Sequence, residues 1–267
     1  MRGVALEGGA ARGAYHIGVI KALTENGYEF DGFVGTSVGA LNAALLAQGD
    51  FEQALDLWSD ISMDKLFDEE EQMLFRLADL RSFKPNAENR INFIKAASKV
   101  IRSGGIDTDK MKAMIKMYIC EDKLRGSGKD FGLVTVSIKN RKPYHLMLED
   151  IPQGKLYSYL MASASFPGFR YERIGGNAFI DGAFSDNCPY GLLLNKGYDE
   201  IIAIRTNIPG VFRRVTDTKR VKVITPSENL GNPFTFERKH STANIALGYR
   251  DGLNYIETIV NQKGIIC

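Results

Sequence analysis

The chain has 267 residues, of which 44% are hydrophobic and 25% are charged, values typical of a globular protein with a sizeable core. Its formal net charge of +2 is too close to balance to indicate nucleic acid as the main partner. Three cysteines without C-x-x-C spacing argue against a disulfide framework and against a zinc site. The first residues lack the apolar run of a secretory signal, so a reducing, cytoplasmic location is expected.

The N-terminal segment predicts a strand at Gly3–Leu6, then the glycine-rich loop Gly8–Gly13, then a helix from Ala14 to about Glu25. The loop fits neither of two phosphate-binding motifs. Ala10 replaces the second glycine of the dinucleotide fingerprint, and Ala14 stands where a P-loop requires lysine. A loop of small residues whose backbone N–H groups converge on an anion, with Arg12 nearby, instead meets the requirement of an oxyanion hole.

The next element contains the motif Gly35-Thr36-Ser37-Val38-Gly39, a G-x-S-x-G pattern between apolar flanks. This spacing is typical of a strand that turns sharply into a helix, with the serine at the apex and glycines that let the two elements pass closely. At a helix N-terminus, backbone N–H groups favour a developing negative charge. The surrounding uncharged stretch, residues 32–49, contains four glycines and four polar residues, which indicates a buried strand and helix rather than a membrane span.

Residues 51 to about 125 are predicted to be mostly helical. One apolar stripe at helical spacing follows a predicted cap at Asp107 or Thr108, and its members are Met111, Met114, Ile115 and Tyr118. Core packing is the favoured interpretation of this methionine-rich helix. The alternative is that it lines an adaptable apolar pocket or dips into a lipid surface.

Beyond the helical region, Phe131–Lys139 and Tyr144–Leu148 alternate as the strands of a hairpin. Further along, an apolar run beginning at Ala178 leads into Asp181 and Gly182. Asp-Gly is common in turns, whereas a hydroxyl nucleophile requires a proton acceptor. Two interpretations of Asp181 are therefore open: a turn residue, or a base at a strand end that faces Ser37.

Histidine is the usual partner of a serine nucleophile, and the chain has three, His16, His145 and His240. Each is interpreted as a structural or surface residue. Ser37, Asp181 and His240 do occur in the chain order of an α/β-hydrolase triad. However, only about one strand precedes the elbow, whereas that fold builds most of its sheet first.

Three elements in order resemble the patatin-like phospholipases: the loop Gly8–Gly13, the elbow Gly35–Gly39, and Asp181-Gly182-Ala183. The resemblance covers roughly residues 3 to 205. It extends to the flanking segments Glu7, His16-Ile17-Gly18, Ala162–Pro167 and Asp186-Asn187-Cys188-Pro189.

The resemblance implies a three-layer α/β/α sandwich with a central, mostly parallel sheet flanked by helices. By similarity, Ser37 is the nucleophile and Asp181 its sole partner in a Ser–Asp dyad. The oxyanion hole implied by the resemblance consists of Gly8, Gly9, Ala10, Ala11, Arg12 and Gly13. The expected activity is hydrolysis of acyl esters of lipids without metal or cofactor. Ala10 departs from the family pattern, which usually has a third glycine, and its methyl group could narrow the loop or forbid a positive φ.

The expected organisation is one domain, residues 1–267, with a helical insertion at about 51–125 and a C-terminal extension at about 206–267. A helix at Tyr190–Gly197, a strand at Glu200–Arg205 and a final helix at Thr242–Val260 are predicted. Basic residues collect between positions 205 and 222: Arg205, Arg213, Arg214, Lys219, Arg220 and Lys222. They predict either a solvated surface or transient contact with anionic headgroups at a membrane surface.

Two further functions use the same features. An acyltransferase or thioesterase would form the same acyl-enzyme but pass the acyl group to another acceptor. A non-catalytic lipid-binding protein would keep the fold with a silenced site, and Ala10 is the only feature in its favour. The sequence carries no expectation for the oligomeric state.

Overall fold

The fold is that of a computed structural model, which describes residues 1–69, 71–72, 75, 100, 102 and 104–264, with side chains to residue 261. Part of the region predicted to be helical, residues 51–125, lies outside the described residues, and Cys267 lies outside them too.

Eight strands in the described part of the chain form one sheet. They are β1 Arg2–Leu6, β2 Gly32–Thr36, β3 Asp130–Ser137, β4 Lys142–Met147, β5 Glu172–Ile174, β6 Asn177–Asp181, β7 Glu200–Ile204 and β8 Val221–Ile224. Hydrogen-bonded neighbours follow the order β5-β6-β3-β2-β1-β7-β8, and β4 also pairs with β3. From β3 to β8 along this order the strands pair in parallel, while β4, β5 and β6 pair antiparallel. The predicted mostly parallel sheet is confirmed.

The helices of the described residues include α1 Ala14–Glu25, α2 Val38–Ala47, α3 Phe51–Asp60, α4 Met63–Leu66, α5 Asp109–Tyr118, α6 Glu121–Gly126, α7 Leu156–Ser163, α8 Tyr190–Asn195 and α9 Arg238–Gly264. The predicted helix over Ala14–Glu25 and the predicted hairpin of β3 and β4 are confirmed.

Successive residues of a strand face opposite sides of a sheet, and β1 shows this directly. Val4 and Leu6 belong to a hydrophobic cluster that includes residues of α1, α2 and α3. Ala5 belongs to a second cluster that includes Leu192 and Leu193 of α8. The sheet therefore has a hydrophobic core and helices on both faces, which makes the three-layer α/β/α arrangement.

The C-terminal helix α9 packs against α1 through glycines that allow close approach. A Cβ atom on Gly18 would lie 1.9 Å from the carbonyl oxygen of Ile245, and one on Gly248 would lie 2.2 Å from that of Tyr15. The buried Tyr15 hydroxyl also donates to Asp251 Oδ2 at 3.0 Å. The last predicted helix is therefore an integral part of one outer layer, and it begins earlier than predicted, at Arg238.

Three regular elements, β5, β8 and α7, were not predicted. In β8 the two middle residues, Lys222 and Val223, are not buried, so the apolar run typical of a parallel strand is interrupted. In α7 apolar residues occur on nearly every side, because the helix packs against the sheet and also against α2 and α5, so no amphipathic period marks it.

Candidate active site

The pairing of β3 brings the ends of two other strands together. Val134 of β3 pairs with Thr36, the last residue of β2, and the next residue, Thr135, pairs with Asp181, the last residue of β6. Because β4 occupies the other edge of β3, β2 and β6 share one edge. β2 is parallel to β3 and β6 is antiparallel, so the two strands meet end to end. Ser37, which follows Thr36, therefore lies beside Asp181.

Ser37 occupies the sharp turn between β2 and α2, with φ 56° and ψ −129°. This is a strained conformation for a residue with a side chain. The two flanking glycines are required sterically. A Cβ atom on Gly35 would lie 2.2 Å from the Gly39 backbone, and one on Gly39 would lie 2.3 Å from the carbonyl oxygen of Leu6. The strand–turn–helix predicted from the motif is thus present.

Asp181 is only 3% exposed at the end of β6. Burial raises the pKa of its carboxyl group to about 6, and hydrogen bonds from the Ala183 N–H and the Ser37 side chain oppose this rise. The Ala183 N–H donates to Asp181 Oδ1 at 2.8 Å and begins a short 3₁₀ turn. Both interpretations of Asp181 considered from the sequence therefore apply: Asp181 is a turn residue, and its carboxylate faces Ser37.

The glycine loop has a 3₁₀ turn at Ala10–Gly13, and most of its N–H groups already have acceptors. The Gly8 N–H donates to the carbonyl of Asn187 at 3.0 Å, that of Ala11 to the carbonyl of Pro233, and that of Arg12 to the carbonyl of Gly9. Among the residues that the structure describes, the N–H groups of Gly9 and Ala10 have no acceptor. Both residues line the same cavity as Ser37 and Asp181.

Ala10 adopts a positive φ of 49°. The expectation that its methyl group could forbid this conformation was wrong. An L-residue tolerates the left-handed region at a cost of roughly 1–2 kcal/mol, which the surrounding fold offsets. The alanine therefore does not prevent the loop from adopting a positive φ at this position.

Arg12 and Glu7 hold the loop from outside. The Arg12 guanidinium donates to the carbonyl oxygens of Gly231, Thr206 and Asn207, so it does not point into the cavity. The carboxylate of Glu7, which is completely buried, accepts from the Arg205 guanidinium at 2.9 Å and from the Thr206 N–H at 2.6 Å. These contacts join the end of β1 to the segment after β7.

The cavity above Ser37 and Asp181 is strongly apolar. Its lining includes Leu57, Trp58, Met111, Met114, Phe166, Phe169 and Phe234. Met111 and Met114 are half-buried, pack against the core and also line this cavity. The core and pocket interpretations of the methionine-rich helix therefore both hold.

The three histidines lie in other surroundings. His16 is completely buried beside Asn42, and burial lowers its pKa to about 3. His145 Nε2 contacts Asp186 Oδ2 at 3.1 Å. The two ring nitrogens of His240 contact the carbonyl oxygens of Thr235 and Leu230. None of the three is among the described residues that line the cavity.

The basic residues between 205 and 222 do not form a uniform cationic surface. Arg205 pairs with Glu7, Arg213 with Asp186 at 3.2 Å, and Arg220 with Asp217 at 2.7 Å. Arg214 and Lys219 are exposed. Half of the predicted cluster is thus engaged in ion pairs within the fold.

Comparison with known proteins identifies the family. The family model for patatin-like phospholipases matches residues 4–194. This chain belongs to the patatin-like phospholipase family. Lysophospholipase NTE1 of Mycosarcoma maydis is 27% identical over 205 residues, which is 76% of this chain and 9% of that protein. Lysophospholipase NTE1 of Coccidioides immitis (strain RS) is 27% identical over 204 residues, 76% of this chain and 11% of that protein. This patatin-like chain thus matches only about a tenth of the length of these relatives.

The patatin fold is also visible at low sequence identity. The crystal structure of VipD from Legionella pneumophila superposes with a TM-score of 0.58 at 16% identity, covering 96% of this chain and 67% of that one. Among the described residues of this patatin-like chain, no helix has the length and apolar character needed to cross a membrane.

Proposed function

We propose that this protein hydrolyses carboxylic ester bonds of acyl lipids through Ser37 and Asp181. The observation that carries the proposal is the pairing of β3, which sets the Ser37 hydroxyl against a buried carboxylate. The Gly9 and Ala10 amides lie in the same cavity without an acceptor among the described residues. Nucleophile, base and oxyanion donors are the three components that acyl transfer requires.

In the first half-reaction, Ser37 Oγ attacks the ester carbonyl carbon while the Asp181 carboxylate accepts the hydroxyl proton. The carbonyl oxygen becomes an oxyanion that accepts hydrogen bonds from the Gly9 and Ala10 N–H groups. When the tetrahedral intermediate collapses, the bond to the alcohol oxygen breaks, and Asp181 returns its proton to that oxygen. The product is an acyl ester on Ser37. The raised pKa of Asp181 makes the carboxylate a stronger base than an exposed one.

In the second half-reaction, Asp181 takes a proton from a water molecule that attacks the acyl-enzyme. The same amides stabilise the second oxyanion. The bond to Ser37 Oγ then breaks, Asp181 gives the proton to this oxygen, and a fatty acid leaves. Serine and aspartate are regenerated, so the cycle needs only water as co-reactant.

The cavity supports a substrate with a long acyl chain. Aromatic and methionine side chains form its wall, and such surfaces stabilise alkyl chains by removing apolar area from water. The relatives from Mycosarcoma maydis and Coccidioides immitis are named lysophospholipases. A single-chain phospholipid is therefore the proposed substrate class.

Transient contact with a membrane surface belongs to the same proposal. Phe166 lines the cavity and is 43% exposed, so an apolar side chain projects where a lipid would enter. The exposed Arg214 and Lys219 could add attraction to anionic headgroups, about 1 kcal/mol each near the surface. Sedimentation with vesicles of increasing anionic lipid content tests this. Binding that does not change with the anionic lipid content would contradict the proposed attraction of Arg214 and Lys219 to the headgroups.

The deciding experiment compares hydrolysis of a short-chain nitrophenyl ester and of a lysophospholipid by wild type, Ser37→Ala, Asp181→Asn and His240→Ala. Folding of each variant is checked by circular dichroism. Loss of activity in the first two variants alone supports the dyad. Loss in His240→Ala as well would favour a histidine triad, and a folded, inert wild type would favour the non-catalytic alternative. Added alcohols or thiols distinguish transferase products from free fatty acid.

A further inference from the structure

Asn187 is a buried amide that no other group in the described structure satisfies. Its side chain has no exposure, yet neither Oδ1 nor Nδ2 has a hydrogen-bond partner. Burying an amide without partners is unfavourable, so native proteins rarely keep one without a reason. Asn42, another buried asparagine, contacts the Gly13 carbonyl and the Trp58 indole. The contrast indicates that the Asn187 amide serves something outside the folded chain.

The position of this amide is set by the backbone on both sides of it. The Asn187 carbonyl accepts the Gly8 N–H at 3.0 Å, and the Asn187 N–H donates to the Val211 carbonyl at 2.7 Å. The side chain lines the apolar cavity together with Ser37, Gly9 and Ala10. It is therefore a fixed polar group in a wall that is otherwise largely hydrocarbon.

Gly8 shows how close the amide lies to the nucleophile. A Cβ atom built on Gly8 would lie 2.4 Å from Asn187 Oδ1 and 3.2 Å from Ser37 Cβ. The same point in space is thus next to both side chains. Any residue other than glycine at position 8 would push the amide away, so the loop leaves room for it.

We propose that the Asn187 side-chain amide is a third oxyanion donor, which acts with the Gly9 and Ala10 N–H groups on the carbonyl oxygen of the acyl ester. The inference rests on the proposed hydrolase function. Rotation about the last side-chain bond exchanges Oδ1 and Nδ2, and no bond within the described structure opposes it. Nδ2 can therefore turn toward the oxyanion when the substrate is bound, and its two hydrogens make it a donor that a carboxylate could not replace.

The test uses Asn187→Leu and Asn187→Asp. Leucine keeps the shape of the side chain without polar atoms, and aspartate replaces the donor by acceptors. Both variants are expected to lower kcat by about 100-fold, with little change in KM, because loss of one oxyanion donor acts on the transition state. Asn187→Leu is expected to unfold no more easily than wild type, since it removes an unsatisfied buried amide. A purely structural role predicts the opposite, a loss of stability.

The matched control is Ser241→Ala. Ser241 also carries a fully buried polar atom without a partner in the described structure, but it lies on α9 outside the cavity lining. This variant is expected to keep the wild-type kcat.

A second measurement reports on the oxyanion directly. An alkyl trifluoromethyl ketone forms a hemiketal with a serine nucleophile, and its ¹⁹F chemical shift against pH gives the pKa of the hemiketal oxygen. The pKa is expected to rise in both Asn187 variants because a donor to the oxyanion is lost. Folded Asn187 variants with wild-type kcat and an unchanged hemiketal pKa would overturn the inference alone. A wild-type protein that neither hydrolyses esters nor binds the ketone would overturn the proposed function with it.

Discussion

The Ser163 hydroxyl accepts the backbone N–H of Ser37 at 2.9 Å and donates to the Val134 carbonyl at 2.7 Å. One side chain from the end of α7 thus ties the strained elbow to the strand that aligns it. Val134 is also the residue that pairs with Thr36, so the contact acts at the point where β2 ends.

Ser163→Ala is expected to lower both stability and activity. It leaves the Ser37 N–H without its acceptor, which should reduce the free energy of unfolding by about 1–2 kcal/mol. The elbow should also become less well positioned, so kcat should fall. Denaturant unfolding and ester hydrolysis measure the two effects. Ser165→Ala is the control, because Ser165 is also buried and its hydroxyl donates to the Met161 carbonyl rather than contacting the elbow. Equal kcat in the two variants would contradict a positioning role for Ser163.

The pH dependence of kcat/KM should follow Asp181. Burial raises its pKa to about 6, and the proposed base must be ionised to accept the serine proton. Activity is therefore expected to rise as pH increases through about 6. Initial rates at low substrate concentration across this range measure the midpoint. His145→Gln should leave the midpoint unchanged, whereas a profile that falls through this range would rule out Asp181 as the general base.

Asp181→Asn should make the protein inactive but more stable at neutral pH. The folded state keeps the Asp181 proton up to about pH 6, while the unfolded chain loses it near 3.8. Between these values the folded wild type binds more protons, so its stability falls as pH rises. Above pH 6, ionisation of the buried carboxyl group has lowered the free energy of unfolding by about 3 kcal/mol, and the neutral asparagine avoids this loss.

Unfolding of Asp181→Asn and wild type by denaturant, once above pH 6 and once near pH 3.8, measures this difference. The variant should be more stable at the higher pH, and the gap should close at the lower one. A gap of the same size at both values would point to a cause other than ionisation of the buried carboxyl group.

Substitutions at Ala10 should separate backbone conformation from side-chain chemistry. Ala10→Gly is expected to keep activity and to change the unfolding free energy by less than about 1 kcal/mol. Glycine relieves backbone strain in the folded state, but it also adds conformational entropy to the unfolded chain, and the two effects oppose each other. Ala10→Val is expected to lose activity, since a β-branched residue fits poorly at φ 49° and would displace the Gly9 and Ala10 amides. Ala113→Val, on the exposed surface of α5, is the control. An active Ala10→Val enzyme would contradict the role of these amides.

Glu7→Gln should destabilise the fold strongly. The carboxylate is buried against Arg205, and loss of one partner of a buried ion pair is expected to cost about 3 kcal/mol. Glu228→Gln removes an ion pair with Arg250 that is largely exposed, so its effect should stay below about 1 kcal/mol. Thermal unfolding of both variants compares the two losses of stability. Similar midpoints would show that the ion pair of Glu7 and Arg205 contributes little to the stability of the fold.

Several elements were predictable because their causes are local. The glycines at 35 and 39 are needed for a close strand–helix approach, and that requirement is visible as a five-residue spacing. The hairpin of β3 and β4 is short-range, and its alternation shows in the sequence. The motif at Ser37 and the strand that leads to Asp181 were recognisable for the same reason.

Other features of the site had no local signal. Ser163 and Asn187 stood within segments that matched the family pattern, but nothing in their neighbourhood indicated contact with the elbow or with Gly8. The interpretation of the basic cluster could not include the pairing of Arg205 with Glu7, which lies 198 residues away in the chain.

Local sterics and periodicity were thus enough to identify the elbow at Ser37 and the strand that ends at Asp181. The α/β/α class and the pairing of these two residues were expected from the resemblance to a family. The register of β3 decided that Ser37 and Asp181 meet. The packing around them decided which amides have no acceptor within the described part of the chain, and how far the pKa of Asp181 rises. Strand register and burial depend on pairings between distant segments, and the free energy of those pairings belongs to the assembled core rather than to any one stretch of residues.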